Sequence, residues 1–289
     1  MLGIALALAL YVDQPTASDP LQAPDDIVVE GSREQRERAR GFINKLTDNI
    51  PSFGQIGRFH SPVCPAAMGV PAAQSQQIAE RMKRVAQAAG MTVGKAGCRP
   101  NVFLIAAVDK GSTIAALNES FPAYFSGMGN SEVRRLAASR DMAVAWQIKN
   151  LLSADGTELK KVAGGGYYIN EGTNSGSRVR SGTMPAFVTS MVVVELSALK
   201  GLSVTQVADY AAMRAFADTD PLGARNAGAP TILTILEARD DQSIPLTLTQ
   251  WDLAYLKSLY ATSNAYYASY QRGDMAHELT KELSKSSGN

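Results

Sequence analysis

Between residues 72 and 90, Ile78, Met82, Val85 and Ala89 recur at helical spacing on one face, and Gly90 is placed to end the helix. The same periodicity predicts helices over 109–125 (Ile114, Leu117, Phe121), 131–139, 203–217 and 249–261. A further helix over 33–50 carries dense charge of alternating sign, with Phe42, Ile43, Leu46 and Ile50 as its apolar stripe. Two stretches change period. NVFLIAAV at 101–108 and FVTSMVVVEL at 187–196 are continuous apolar runs, which predict buried strands. AVAWQIKNL at 143–151 predicts a third strand, and shorter ones are read at 55–61 and 91–93. SPVCPAAMGVP, after the first of these, reads as a loop. Residues 153–185, dense in Gly, Ser and Asn, read as a long hairpin or exposed loop.

Strands and helices mix without strict alternation. That predicts an α+β fold with a mixed central sheet packed by several helices. One main domain is expected over 28–262, followed by a polar helix or tail over 263–289. The stretch 187–221 is the most legible. Ser203 and Gln206 have capping-box spacing, Leu202 and Val207 are spaced for a hydrophobic staple, and Val204, Val207, Ala208, Ala211 and Ala215 form one stripe. Asp209 falls well off that stripe.

Of the 289 residues, 45% are hydrophobic and 19% charged, enough for a sizeable core and unlike a disordered chain. The 28 basic and 27 acidic residues leave a net charge of +1, so there is no footprint for nucleic acid or an acidic membrane surface. Leu2 to Val12 have the length of a signal-peptide apolar region and are too short to span a bilayer. The expectation is a leader over 1–18, a linker over 19–27, no transmembrane segment in the mature chain, and a periplasmic or secreted location. In an exported protein two cysteines favour a Cys64–Cys98 disulfide over two separate buried thiols. Closing that loop would stabilise by about 3–4 kcal/mol.

ADYAAMRAFADTDP, PTILTIL and LTQWDLAYLKSLY, together with GRFHSPVCPAAMGVP and GCRPNVFLI, resemble a family of uncharacterised exported proteins of Gram-negative bacteria over about residues 28–262. The resemblance implies export and a cysteine pair, and brings no activity with it. A more distant similarity is to zincin-like peptidases, in which a helix carries HExxH. The comparable residues are Ala208-Asp209-Tyr210-Ala211-Ala212, with alanine at both ligand positions.

Motifs with chemistry are sparse. His277-Glu278-Leu279-Thr280-Lys281 ends on a lysine where a zinc site needs histidine. Ser197-Ala198-Leu199-Lys200 matches S-x-x-K, but the KTG-like Arg180-Ser181-Gly182-Thr183 precedes it instead of following. Gly164-Gly165-Gly166 lacks the lysine and hydroxyl of a P-loop. Trp251, Tyr255 and Tyr260 keep helical spacing and read as core. No metal or cofactor is expected. The favoured function is a non-catalytic binding or structural protein of the envelope, with an unidentified protein or small molecule as partner. Its candidate binding loop carries Tyr167, Tyr168, Arg178 and Arg180. The alternative is a divergent hydrolase with a polar site near Asp209, Glu195 and His60.

Overall fold

The computed structural model describes residues 32–162, 166, 168–237 and 244–286. The leader, the linker and Tyr167 lie outside the described residues. Among those described, the elements are α1 (Ser32–Leu46), β1 (Arg58–Phe59), β2 (Pro65–Met68), α2 (Ala72–Ala88), β3 (Val102–Ala107), α3 (Lys110–Ser120), α4 (Asn130–Ala137), β4 (Ala143–Ser153), β5 (Lys160–Lys161), β6 (Tyr168–Ile169), β7 (Thr183–Glu195), α5 (Val204–Phe216), α6 (Pro221–Ala224), α7 (Gln250–Ala261) and α8 (Ala268–Ser286).

The fold is α+β, a mostly parallel five-stranded sheet with helices packed around it. The valine-rich β7 is its spine. Along one side β7 pairs in parallel first with β1 and then with β3, and β2 continues the sheet beyond β3. Along the other side it pairs antiparallel with β4 over the whole length of that strand. The register slips between Ile148 and Lys149, so Val188 is the extra residue of a β-bulge. Phe187 thereby joins Val192 and Val194 on one face, where its ring meets Phe59 edge-on at 5.5 Å.

Residue alternation splits the core in two. Val102, Leu104 and Ala106 of β3 face a large cluster built from α1, α2, α5, α7 and α8. Phe103, Ile105 and Ala107 face a smaller one with Ile114, Phe125 and Val133. Phe42, Phe187, Phe216 and Tyr255 are fully buried. Each such ring contributes roughly 1.5–3 kcal/mol through loss of water contact. α5 fits tightly because its capping box forms as the spacing implies, with Ser203 Oγ accepting from Gln206 N at 3.2 Å and Gln206 Oε1 accepting from Ser203 N at 3.0 Å.

Several elements depart from their sequence patterns. The strand read over 55–61 is ordered as one only at Arg58–Phe59, and 91–93 contributes a single bridge, Val63 to Val93. The supposed loop after Ser61 contains β2. The helix read over 109–125 breaks at Phe121, before Pro122. Of the two readings of residues 153–185 the long hairpin holds, since antiparallel β4 and β7 run to Ser153 and from Thr183 and the short β5–β6 pair lies between them. The helix expected within 263–289 forms as α8 and packs on the core. Met275, Leu279 and Leu283 of α8, spaced four apart, are buried in the main core. No described helix is long and apolar enough to cross a membrane.

Candidate functional site

Cys64 and Cys98 form a disulfide with their Cα atoms 6.1 Å apart. Cys64 precedes β2, so the bridge ties that strand to the segment entering β3. Asn101 reinforces the junction by accepting from Cys64 N at 2.7 Å and donating to Pro62 O.

Asp209 is fully buried and its carboxylate is saturated. It accepts from Arg81 Nε at 2.7 Å, Arg81 Nη2 at 2.9 Å, Thr247 Oγ1 at 2.7 Å and Leu248 N at 2.8 Å. The ion pair raises the Arg81 pKa further above its ordinary value, through hydrogen bonding to Asp209. Glu195 ends β7 and accepts from Lys110 N at 3.0 Å, holding the start of α3. His60 contacts neither, and the three groups share no partner. Ala208 and Ala212 are fully buried on α5.

The loop residues are not one free surface. Tyr168 is exposed on β6 and Arg178 is exposed. Arg180 Nη2 donates to Asn174 Oδ1, and its backbone bridges to Tyr266. Ser181 N and Tyr267 N complete the seam by donating to Ala265 O and Val179 O. Residues 179–181 are therefore stitched to 265–267.

Two clefts assemble residues that the sequence left apart. The larger, about 350 Å³, runs along β4 beside Ala143–Trp146. β4 is an edge strand here, because among the described residues this stretch pairs with β7 alone. Glu195 N donates to Met142 O, directly opposite, which makes Met142, Val144 and Trp146 the residues bonded to β7. The N–H and C=O groups of Ala143 and Ala145 point the other way, to the open edge. Ser190 N, which points away from β4 to Asn101 O, fits this alternation.

α4 lines one wall of the groove with Glu132, Arg135 and Leu136, and Arg214 of α5 lines the other. Arg214 is only 5% exposed; Nη1 donates to Thr219 O at 3.1 Å, but Nε is buried without a partner. An unpartnered buried donor costs about 1–3 kcal/mol. Glu132 is engaged in capping α4 through Gly129 N, and Asp141 accepts from Ser139 Oγ. Neither Arg135 nor Arg214 pairs with a carboxylate among the described residues.

The smaller cleft, about 150 Å³, lies just past β1 and is lined by Arg58, His60, Ser61, Thr92 and Tyr260 among others. Arg58 of β1 and His60, just after it, both line this cleft. Arg58 Nη1 donates to Leu259 O at 2.8 Å, with the guanidinium 5.9 Å from the Tyr260 ring centre. Burial lowers the Arg58 pKa. The His60 pKa is also lowered, by burial first and by the Arg58 charge second. Burial pushes the Tyr260 phenol upward. Its hydroxyl is spent, donating to Phe216 O and accepting from Phe59 N.

The sequence flagged His60 as one of two histidines and Asp209 by its off-stripe position, but missed Arg214, Arg135, Arg58 and Thr92. Arg214 carried a usable signal, a charge within an alanine-rich helix packed on a sheet. In comparisons with known proteins, no family model, no curated protein and no solved structure matches this chain.

Proposed function

We propose that the chain is an extracytoplasmic, non-catalytic binding protein that captures an extended peptide segment along the free edge of β4. The open edge at Ala143 and Ala145, set between α4 and the incompletely bonded Arg214, carries the reading. Strand addition would satisfy the outward N–H and C=O groups, and alternate side chains of the peptide would meet the two walls. A carboxylate on the peptide, terminal or acidic, would complement Arg214 and Arg135, whose charges meet no acid within the described protein. The disulfide supports a location outside the reducing cytoplasm.

Proline at position 145 tests this reading directly. It removes an outward N–H while leaving the bonds to β7 intact, a placement edge strands tolerate. Short labelled Thr/Val-rich peptides with a free C-terminal carboxylate should bind in a fluorescence-polarisation titration. Their C-terminal amides should bind about tenfold more weakly, from loss of a charge-assisted hydrogen bond. Ala145→Pro should abolish binding with the melting temperature little changed. Absence of saturable binding, or equal binding by a folded Ala145→Pro protein, would overturn it.

A further inference from the structure

The cleft past β1 has an unusual balance of hydrogen-bonding groups. Arg58 gives one donor to Leu259 O and has no other protein acceptor among the described residues. The hydroxyls of Ser61 and Thr92 make no hydrogen bond there either. No carboxylate lines the cleft. Tyr260 offers nothing, since both functions of its hydroxyl are occupied.

The state of His60 follows from Asn264. The Asn264 Nδ2 donates to Pro185 O at 2.8 Å, which fixes the amide and turns Oδ1 toward His60 Nε2 at 3.2 Å. An oxygen at that position accepts, so Nε2 carries the hydrogen. Nδ1 of the neutral ring holds the lone pair and has no protein partner among the described residues. Protonation would make it one more donor. The charged or titratable groups facing His60 are Arg58 on the preceding β1 and Tyr260 on α7; the 90–92 turn contributes none.

The half-buried Arg58 guanidinium keeps spare donors, and the exposed Ser61 and Thr92 hydroxyls and the His60 ring line the same cleft with no negatively charged acceptor among them. At about 150 Å³ the space suits a small ion and little more. We infer that this cleft is a small-oxyanion site, in which Arg58 supplies the charge and Ser61, Thr92 and protonated His60 complete the hydrogen bonds. A free inorganic anion and the acidic group of a larger molecule share this chemistry. The site uses none of the β4-edge residues and stands independently of the peptide reading.

Binding and protonation of His60 must then be linked, since the anion favours the charged ring. Sulfate is the informative probe because its charge is constant across the range of interest. The chain has two histidines, His60 and His277, so ¹H–¹⁵N imidazole spectra with a His277→Gln control assign both titrations. Saturating sulfate, compared with chloride at equal ionic strength, should move the His60 midpoint upward by about one pH unit and leave His277 in place. By the same linkage sulfate should bind about tenfold more tightly below the titration of His60 than above it. Arg58→Gln should weaken binding at least about tenfold, and Arg58→Lys less. Phosphate and acetate separate a tetrahedral from a planar preference, and methyl phosphate tests for room beyond the ion. An unmoved His60 midpoint in the unaltered protein, or full affinity in a folded Arg58→Gln protein, overturns the inference.

Discussion

Asp209 and Arg214 are one turn-and-a-half apart on the same helix and have opposite fates. Four hydrogen bonds converge on the Asp209 carboxylate, while 27% of the Arg81 side chain remains in solvent. Such an acid is a structural tie between α2, α5 and the 247–248 segment. Asp209→Ala should destabilise by about 3 kcal/mol, the lower end for breaking a buried pair, because Arg81 can rehydrate. Urea unfolding checks this; a neutral or stabilising result would return Asp209 to the functional candidates, since functional groups are often held at a cost to stability. What distinguishes Asp209 from Arg214 is partners brought from far along the chain: Arg81 lies 128 positions from Asp209, and no local pattern encodes that meeting.

Elements with a long apolar period were legible: α2, α5 and α7, and the cores of β3, β4 and β7 all lie where periodicity put them. β2 was not, because PAAM between prolines has neither alternation nor β-branched residues; its strand state comes from pairing with β3 and from the adjacent disulfide. The β4-edge groove was illegible for a related reason, since being an edge is a property of strand order. Two glycines expose the demand at β2. Gly69 and Gly90 both adopt left-handed backbone, φ +81° and +82°. A Cβ at Gly90 would meet open space, but one at Gly69 would lie 1.9 Å from the Ala106 carbonyl oxygen. Gly90→Ala should therefore cost about 1 kcal/mol for the backbone alone. Gly69→Ala should cost about 3 kcal/mol as β2 is forced off β3. Equal melting temperatures for the two variants would refute the close approach.

At the scale of the molecule, α8 packs against both α1 and α7. Its first turn reaches back to the end of α1, with Arg272 donating to Thr47 Oγ1 at 2.8 Å, Thr47 O at 2.6 Å and Ile50 O. Gln271, fully buried, accepts from Ile56 N at 3.1 Å. Ending the chain before Ala268 should strip cover from Phe42, Tyr255 and Leu259 and abolish cooperative thermal unfolding. A truncated protein melting sharply at the full-length temperature would show α8 to be dispensable. α8 reads as polar because its large aliphatic side chains, Met275, Leu279 and Leu283, are three among nineteen and make a thin stripe, yet one such residue per turn is enough when the groove is ready-made. The Arg272–Thr47 contact joins positions 225 apart in sequence, so it can form only once nearly all of the described chain is present. A chain delivered N-terminus first, from a ribosome or through a translocation pore, thus has α1 waiting without its clasp until residues 271–283 emerge.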